Sequence, residues 1–239
     1  MSSVAWDFDR SARAVVEALN QIRADDQDQG GAKLPSTSPL HLTSWVIEAK
    51  GGTSYLTHPP VLIRHDGDDS RWTEMISGED NIEMESSQSG IELDESAAAV
   101  YSNDYITEWN FSIVFHDIWR VPTLYFSVHD IDGIPTTRDA VISILLGNTS
   151  HLNPNESIIS DEQTWDFVSQ EEHPVTGKPS FFLHPCQTAA KMKLILNQPK
   201  HYCPLLSWMS MILPSVGYKI SPTIFQEAQK IMSMKVVQR

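Results

Sequence analysis

Phe182-Leu183-His184-Pro185-Cys186-Gln187-Thr188 is the stretch of this chain whose residue types and order point most directly to a chemistry. Cys186 follows a short apolar run of strand character and precedes a run of helical character. That places it at a strand-to-helix transition. A helix start offers free backbone N–H groups and the positive end of the helix dipole. Both stabilise a thiolate, or the oxyanion of an acyl group held on the sulfur. A thiol can carry an acyl group as a thioester and pass it to an amine. Pro185 fixes the approach of the chain and biases His184 to an extended conformation. A lone cysteine is more commonly a small buried hydrophobe. The position ahead of a helix makes Cys186 a candidate nucleophile instead.

Other residues near it need weighing. His173 and His184 could each take a proton from an incoming amine, because imidazole titrates near neutral pH. A structural role, with the ring bonded to backbone, is the expectation for both. Cys203 precedes Pro204 at the start of an apolar helix and is expected in the core. The nine histidines and two cysteines show no paired ligand spacing, so neither a metal nor another cofactor is expected.

Elements that must position the cysteine can be read from periodicity. Phe8, Ala12, Val15, Leu19 and Ile22 form one apolar stripe of a helix over 6–24. Asp25 to Pro39 reads as loop. Leu40 to Ile63 is strand-like, punctuated by Gly51-Gly52 and Pro59-Pro60. Trp109, Phe111, Ile113 and Phe115 alternate with Asn110, Ser112 and Val114. Leu124, Phe126 and Val128 alternate in turn, and Asp132-Gly133 marks a turn. The pair reads as antiparallel, with one aromatic face on a core and an exposed edge on which a partner could dock. Thr137 to Leu146 predicts a helix stopped at Gly147-Asn148, and Trp165 to Val168 a short strand. Thr188 is the expected N-cap of the helix after Cys186, which Pro199 ends. Leu205 to Leu213 predicts a second helix. Ser221-Pro222 predicts the start of a last one, to about Met234. Helix, antiparallel strands, then helices make an α+β layer fold.

Composition narrows the function classes. A chain of 239 residues with 41% hydrophobic content and net charge −14 can bury a core but lacks the basic surface that nucleic-acid binding needs. No apolar run is long enough to span a membrane. The polar, acidic start from Met1 to Asp9 lacks the pattern of a signal peptide. Two cysteines suit a reducing compartment, and a cytoplasmic location is expected. Residues 66–99 carry eleven acidic side chains between Asp66 and Glu95 and few aromatics. The expectation is one domain, 1–239, with a flexible acidic insertion at about 66–99.

Glu172-His173-Pro174, Gly177-Lys178-Pro179 and Phe181 to Thr188 together resemble the autophagy-type ubiquitin-like conjugating enzymes, through their His-Pro-Cys motif. One branch of that family passes its modifier to a lipid. The other passes autophagy protein twelve to a lysine of autophagy protein five. Tyr202, Ser207-Trp208, Pro214 to Gly217, Val121 to Phe126 and Asp130 to Gly133 are similar to the protein-modifying branch. The resemblance covers roughly residues 105–220.

It implies a ubiquitin-conjugating-enzyme-like core, a curled antiparallel sheet with helices packed on one side. It implies that Cys186 accepts the modifier's C-terminal glycine from an activating enzyme (autophagy protein seven) and gives it to a target lysine. Classical conjugating enzymes carry His-Pro-Asn ahead of the cysteine, and the Asn side chain holds the oxyanion. Here Val175 follows His173-Pro174, which leaves Asn110, Asn148 or backbone N–H groups as candidates. The alternatives are the lipid-conjugating branch and a cysteine hydrolase.

Overall fold

The computed structural model describes residues 7–28, 44–66, 69–75, 105–149, 168–195, 203–218 and 220–237. Expectations for Leu40, Leu42, Trp165, Pro199, Tyr202 and the acidic residues 76–99 fall outside them.

Helix α1 (Phe8–Asp28) leads into β1 (Val46–Lys50), β2 (Thr53–Thr57), β3 (Val61–Asp66) and β4 (Asp69–Met75). Next come β5 (Tyr105–His116), β6 (Val121–Asp130), α2 (Arg138–Thr149), β7 (Val168–Glu172) and β8 (Pro179–Leu183). Helices α3 (Cys186–Ile195), α4 (Pro204–Ile212) and α5 (Pro222–Val237) close the chain, with a 3-10 turn at Leu213–Val216 after α4. The stripe that predicted α1 is its buried face: Phe8, Ala12, Val15 and Leu19 are all in the core. The helix runs on to Asp28, into the expected loop.

Among the described residues eight strands join one sheet: six follow the order β1-β2-β5-β6-β8-β7, and the β3–β4 pair joins off that path through β5. Strand β5 is its spine. Its Ser112–Val114 half pairs with β2, its Tyr105–Trp109 half with β3, and β6 lies along its other side. The exposed edge expected of the β5–β6 pair therefore does not exist. Both strands are interior, because β2 and β3 take one side and β8 the other. The first part of the expected insertion is not loop: Asp69–Met75 is β4, antiparallel to β3.

Turn chemistry sets the hairpin register. Gly51 and Gly52 sit at φ +60° and +84°, joining Lys50 to Thr53 across a two-residue turn. Such a turn needs left-handed backbone at both central positions, which glycine supplies at no steric cost.

One face of the sheet carries the helices. Trp109 stacks at 5.7 Å on Phe111 and 5.6 Å on Phe126, and Ile113, Leu124, Val128 and Leu183 complete that surface. The apolar sides of α1, α4 and α5 cover it, with Leu205, Leu206, Trp208 and Met209 fully buried. Offset aromatic pairs of this kind add roughly 0.5–1.5 kcal/mol each beyond their area burial. Trp109 also donates its indole N–H to Thr107 Oγ1 at 2.8 Å, so its polar atom is satisfied inside the core.

The opposite face is also buried in part. Tyr55, Val114, Tyr125 and Phe182 form a second cluster, and Val175 packs on it. The reason is tertiary: the segment between β7 and β8 folds back over the sheet. Two later helices also run past their expected ends. Helix α2 continues through Gly147 and Asn148 to Thr149, and α5 reaches Val237. The Ser221 cap is as expected, its Oγ accepting from Thr223 N at 3.3 Å.

Candidate active site

Strand β8 delivers the chain from the middle of the sheet to the start of α3. Phe182 pairs with Tyr125 and Phe181 with Phe126. The strand ends at Leu183, and His184 and Pro185 link it to the helix. Cys186 is the first residue of α3, so the strand-to-helix transition is real. Pro185 is buried, and its carbonyl receives Ala189 N at 3.0 Å, the first turn of the helix. A helix leaves the N–H groups of its first turn without intrahelical acceptors. The positive end of a helix dipole and such free donors favour a thiolate and a bound acyl oxygen in general.

Thr188 does not cap the helix. It lies within α3, buried, and its hydroxyl donates to the Pro185 carbonyl at 2.9 Å. That bond holds the proline carbonyl in place and leaves the first-turn N–H groups to other partners.

His173 is a structural residue. The ring is 5% exposed. Its Nδ1 accepts backbone N–H groups from Val175 and Thr176, both at 3.1 Å. With that nitrogen an acceptor, the proton of the neutral ring lies on Nε2, which donates to Ser112 Oγ at 2.8 Å. Burial pushes the imidazole pKa below its ordinary value, as expected where the charged form loses water. His173 N donates to the Lys178 carbonyl and Gly177 N to the His173 carbonyl, both at 2.8 Å. Gly177 sits at φ +72°, a conformation this tight turn requires. Neither ring nitrogen is left for an incoming amine.

Val175, in the place of the usual Asn, presses on the Tyr55–Tyr125–Phe182 cluster and contributes packing. Asn110 does not fill in. It pairs across from Ser127, and its amide is engaged, donating to Glu108 Oε1 at 3.0 Å. The side chain of Asn148 lies outside the described residues.

Tyrosine hydroxyls brace the same face. Tyr125 donates to Glu171 Oε1 at 2.7 Å, and burial and that bond raise its pKa. Tyr55 donates to Glu48 Oε2 at 2.6 Å, which with burial pushes its pKa up to about 12. Both stay protonated and hold their carboxylates. A cleft of about 750 Å³ opens beside them, lined by Glu48, Asn110, Ser112, His173 and Lys178.

His184 has a different environment. It is half-buried, and its ring meets Trp119 edge-on at 5.3 Å. The β5–β6 turn, residues 117–120, therefore lies against the residue two before Cys186. Sequence reading passed over this turn. The signal was there: Ile118-Trp119, two large apolar residues in a turn.

Cys203 is a core thiol. It is 4% exposed, its Sγ lies 3.9 Å from the Ser11 carbonyl, and burial pushes its pKa up to about 11. Among the described residues no group of three His, Cys, Asp or Glu could hold a metal ion, and no helix is long and apolar enough to cross a membrane.

Residues 12–223 match the family described as autophagocytosis associated protein, active-site domain. The chain belongs to this family. The matched span runs from α1 into α5 and includes Cys186, both His-Pro steps and the β5–β6 turn. It is similar to proteins named ubiquitin-like-conjugating enzyme ATG10. The Dictyostelium discoideum protein is 33% identical over 125 residues, 47% of this chain and 51% of that protein. The Homo sapiens protein is 28% identical over 133 residues, 54% and 56% of the two chains. The Arabidopsis thaliana protein is 31% identical over 127 residues, 47% and 50%. The chain thus spans about half the length of the relatives it matches. The α+β architecture, an antiparallel sheet with helices on one face, agrees with the conjugating-enzyme-like fold that the resemblance implied.

Proposed function

We propose that this chain is an autophagy conjugating enzyme that carries a ubiquitin-like modifier on Cys186. The observation that supports this reading best is the cysteine of His-Pro-Cys standing as the first residue of α3, at the end of an interior strand. In the loading step the Cys186 thiolate attacks the modifier's C-terminal glycyl carbonyl, held as a thioester on the activating enzyme. A new C–S bond forms, the old one breaks, and the activating enzyme's thiol leaves. In the transfer step a lysine Nζ attacks the same carbonyl. The C–N bond forms, the C–S bond to Cys186 breaks, and the amine proton goes to solvent or a nearby base. The product is an isopeptide bond.

The modifier, activating enzyme and target are of the autophagy protein twelve, seven and five types. The site supports a carrier mechanism, with proximity and a held carbonyl supplying the rate. His173, buried, neutral and bonded at both nitrogens, counts against a hydrolase with that residue as base. First-turn N–H groups of α3 take the place of the Asn side chain at the oxyanion.

The test mixes the chain with activating enzyme, modifier and ATP. A thiol-sensitive adduct on a non-reducing gel is expected, and Cys186→Ser should convert it to a thiol-resistant oxyester. Adding the target protein should discharge the thioester to a stable conjugate. Peptide hydrolysis without an adduct would overturn the reading.

A further inference from the structure

The turn between β5 and β6 carries a side-chain arrangement that folding does not explain. Ile118 is 85% exposed and Trp119 39% exposed. Apolar residues this large are costly to leave in water, and a four-residue turn is ordinarily built from small polar residues. Yet the turn is tightly held. Arg120 N donates to the His116 carbonyl at 2.8 Å, and Trp119 N donates to His116 Nδ1 at 3.4 Å. The Arg120 guanidinium lies over the Phe115 ring at 5.4 Å. Arg120 is also, among the described residues, the non-glycine residue at positive φ, +56°. Strained backbone that persists is maintained by its surroundings and points to use. The Trp119 ring ties the turn to His184, two residues before Cys186.

We infer that residues Ile118 and Trp119 form the seat for the C-terminal segment of the modifier held on Cys186. This rests on the proposed function above. A modifier joined through its last carbonyl must run its preceding residues over whatever borders the sulfur. An extended chain advances about 3.3 Å per residue, so the three residues before the glycine cover about 10 Å. The ring contact between Trp119 and His184 sets this turn against the strand end two residues before Cys186. The occupant it fits is an extended tail with an apolar side chain within those three residues. The seat would fix the direction of the tail, and so present one face of the thioester carbonyl to the incoming amine.

Ile118→Asp is the primary variant, because so exposed a side chain contributes little to folding. Single-turnover transfer from the activating enzyme's thioester to the full chain is followed on non-reducing gels. The melting temperature should be unchanged, and loading should slow about tenfold or more. Each of the three modifier residues before the glycine is then changed to Asp. One of these should slow loading of the wild-type chain yet have little further effect on Ile118→Asp, since both changes break the same contact. Trp119→Ala should be coupled to the same tail position.

Loading of Ile118→Asp at the wild-type rate would overturn the inference. So would a slowing that adds fully to every tail change, which would make the turn a docking point for the activating enzyme itself. Failure of the wild-type chain to form any adduct would sink the function reading, and the seat with it. That result is distinct from either of the others.

Discussion

Two His-Pro steps, at 173–174 and 184–185, have opposite surroundings. The first folds over the helix-free face of the sheet. Its imidazole is buried, neutral and bonded to two backbone N–H groups and a serine. The second ends β8. Its imidazole rests against a half-exposed tryptophan, and the next proline opens the helix that begins at Cys186. The difference teaches how one dipeptide serves two purposes. Where a ring is fully enclosed, its hydrogen bonds hold a turn and its chemistry is spent. Where it borders a surface turn, it can shape the path of a bound chain.

The comparison is broken most completely at the cysteine that follows the second step. Cys186→Ala should abolish the adduct, while Cys203→Ser should keep it at a stability cost of about 1–3 kcal/mol from burying a hydroxyl. An adduct that survives Cys186→Ala and disappears with Cys203→Ser would reverse the assignment.

Next in size is the pair of histidine truncations. His173→Ala should destabilise the fold by about 2–4 kcal/mol, because it leaves two backbone N–H groups and a serine without their partner in a buried place. His184→Ala should cost less, roughly 1 kcal/mol or under, yet slow transfer more per unit of stability lost. Denaturant melts set beside single-turnover transfer rates separate these. Equal stability losses would erase the contrast.

The contrast also has a pH signature. His173 has its pKa lowered in the folded chain from 6.5, so the unfolded state binds the extra proton first. Its contribution to stability is complete above the unfolded value and is lost as pH falls below about 6.5 toward the folded value. Chemical denaturation between pH 7.5 and 5 should show stability falling, and His173→Gln should flatten the fall. An unchanged slope in that variant would assign the effect elsewhere.

The smallest effect sharpens the boundary between the two regions. Thr123 is 1% exposed and its hydroxyl has no hydrogen-bond partner among the described residues; it lies on β6, two residues before the Tyr125–Phe182 pair. Thr123→Val keeps the shape and removes an unsatisfied group. It should be neutral or stabilising by up to about 1 kcal/mol. A thermal melt showing a clear loss would mean that the hydroxyl has a partner in solution.

Much of the frame was legible because it depends on local periodicity. The stripe Phe8, Ala12, Val15 and Leu19, the alternation from Trp109 to Phe115 and the Ser221-Pro222 start each encode one element within a few residues. The strand-to-helix junction at Cys186 was legible, since a proline and a change of period mark it. Thr188 was misplaced because a hydroxyl near a helix start can bond backwards to a carbonyl as well as forwards to an N–H, and spacing does not choose.

By itself, then, the sequence determined the elements, the α+β class and the cysteine at the head of a helix, all consequences of side chains near one another along the chain. Only the tertiary structure decided the rest. It placed β5 and β6 inside the sheet, brought residues 173–178 over its second face and set Trp119 against His184. Each of these joins residues far apart in sequence. Their energies come from burial and hydrogen bonds that exist only after the sheet has assembled, so no local pattern records them.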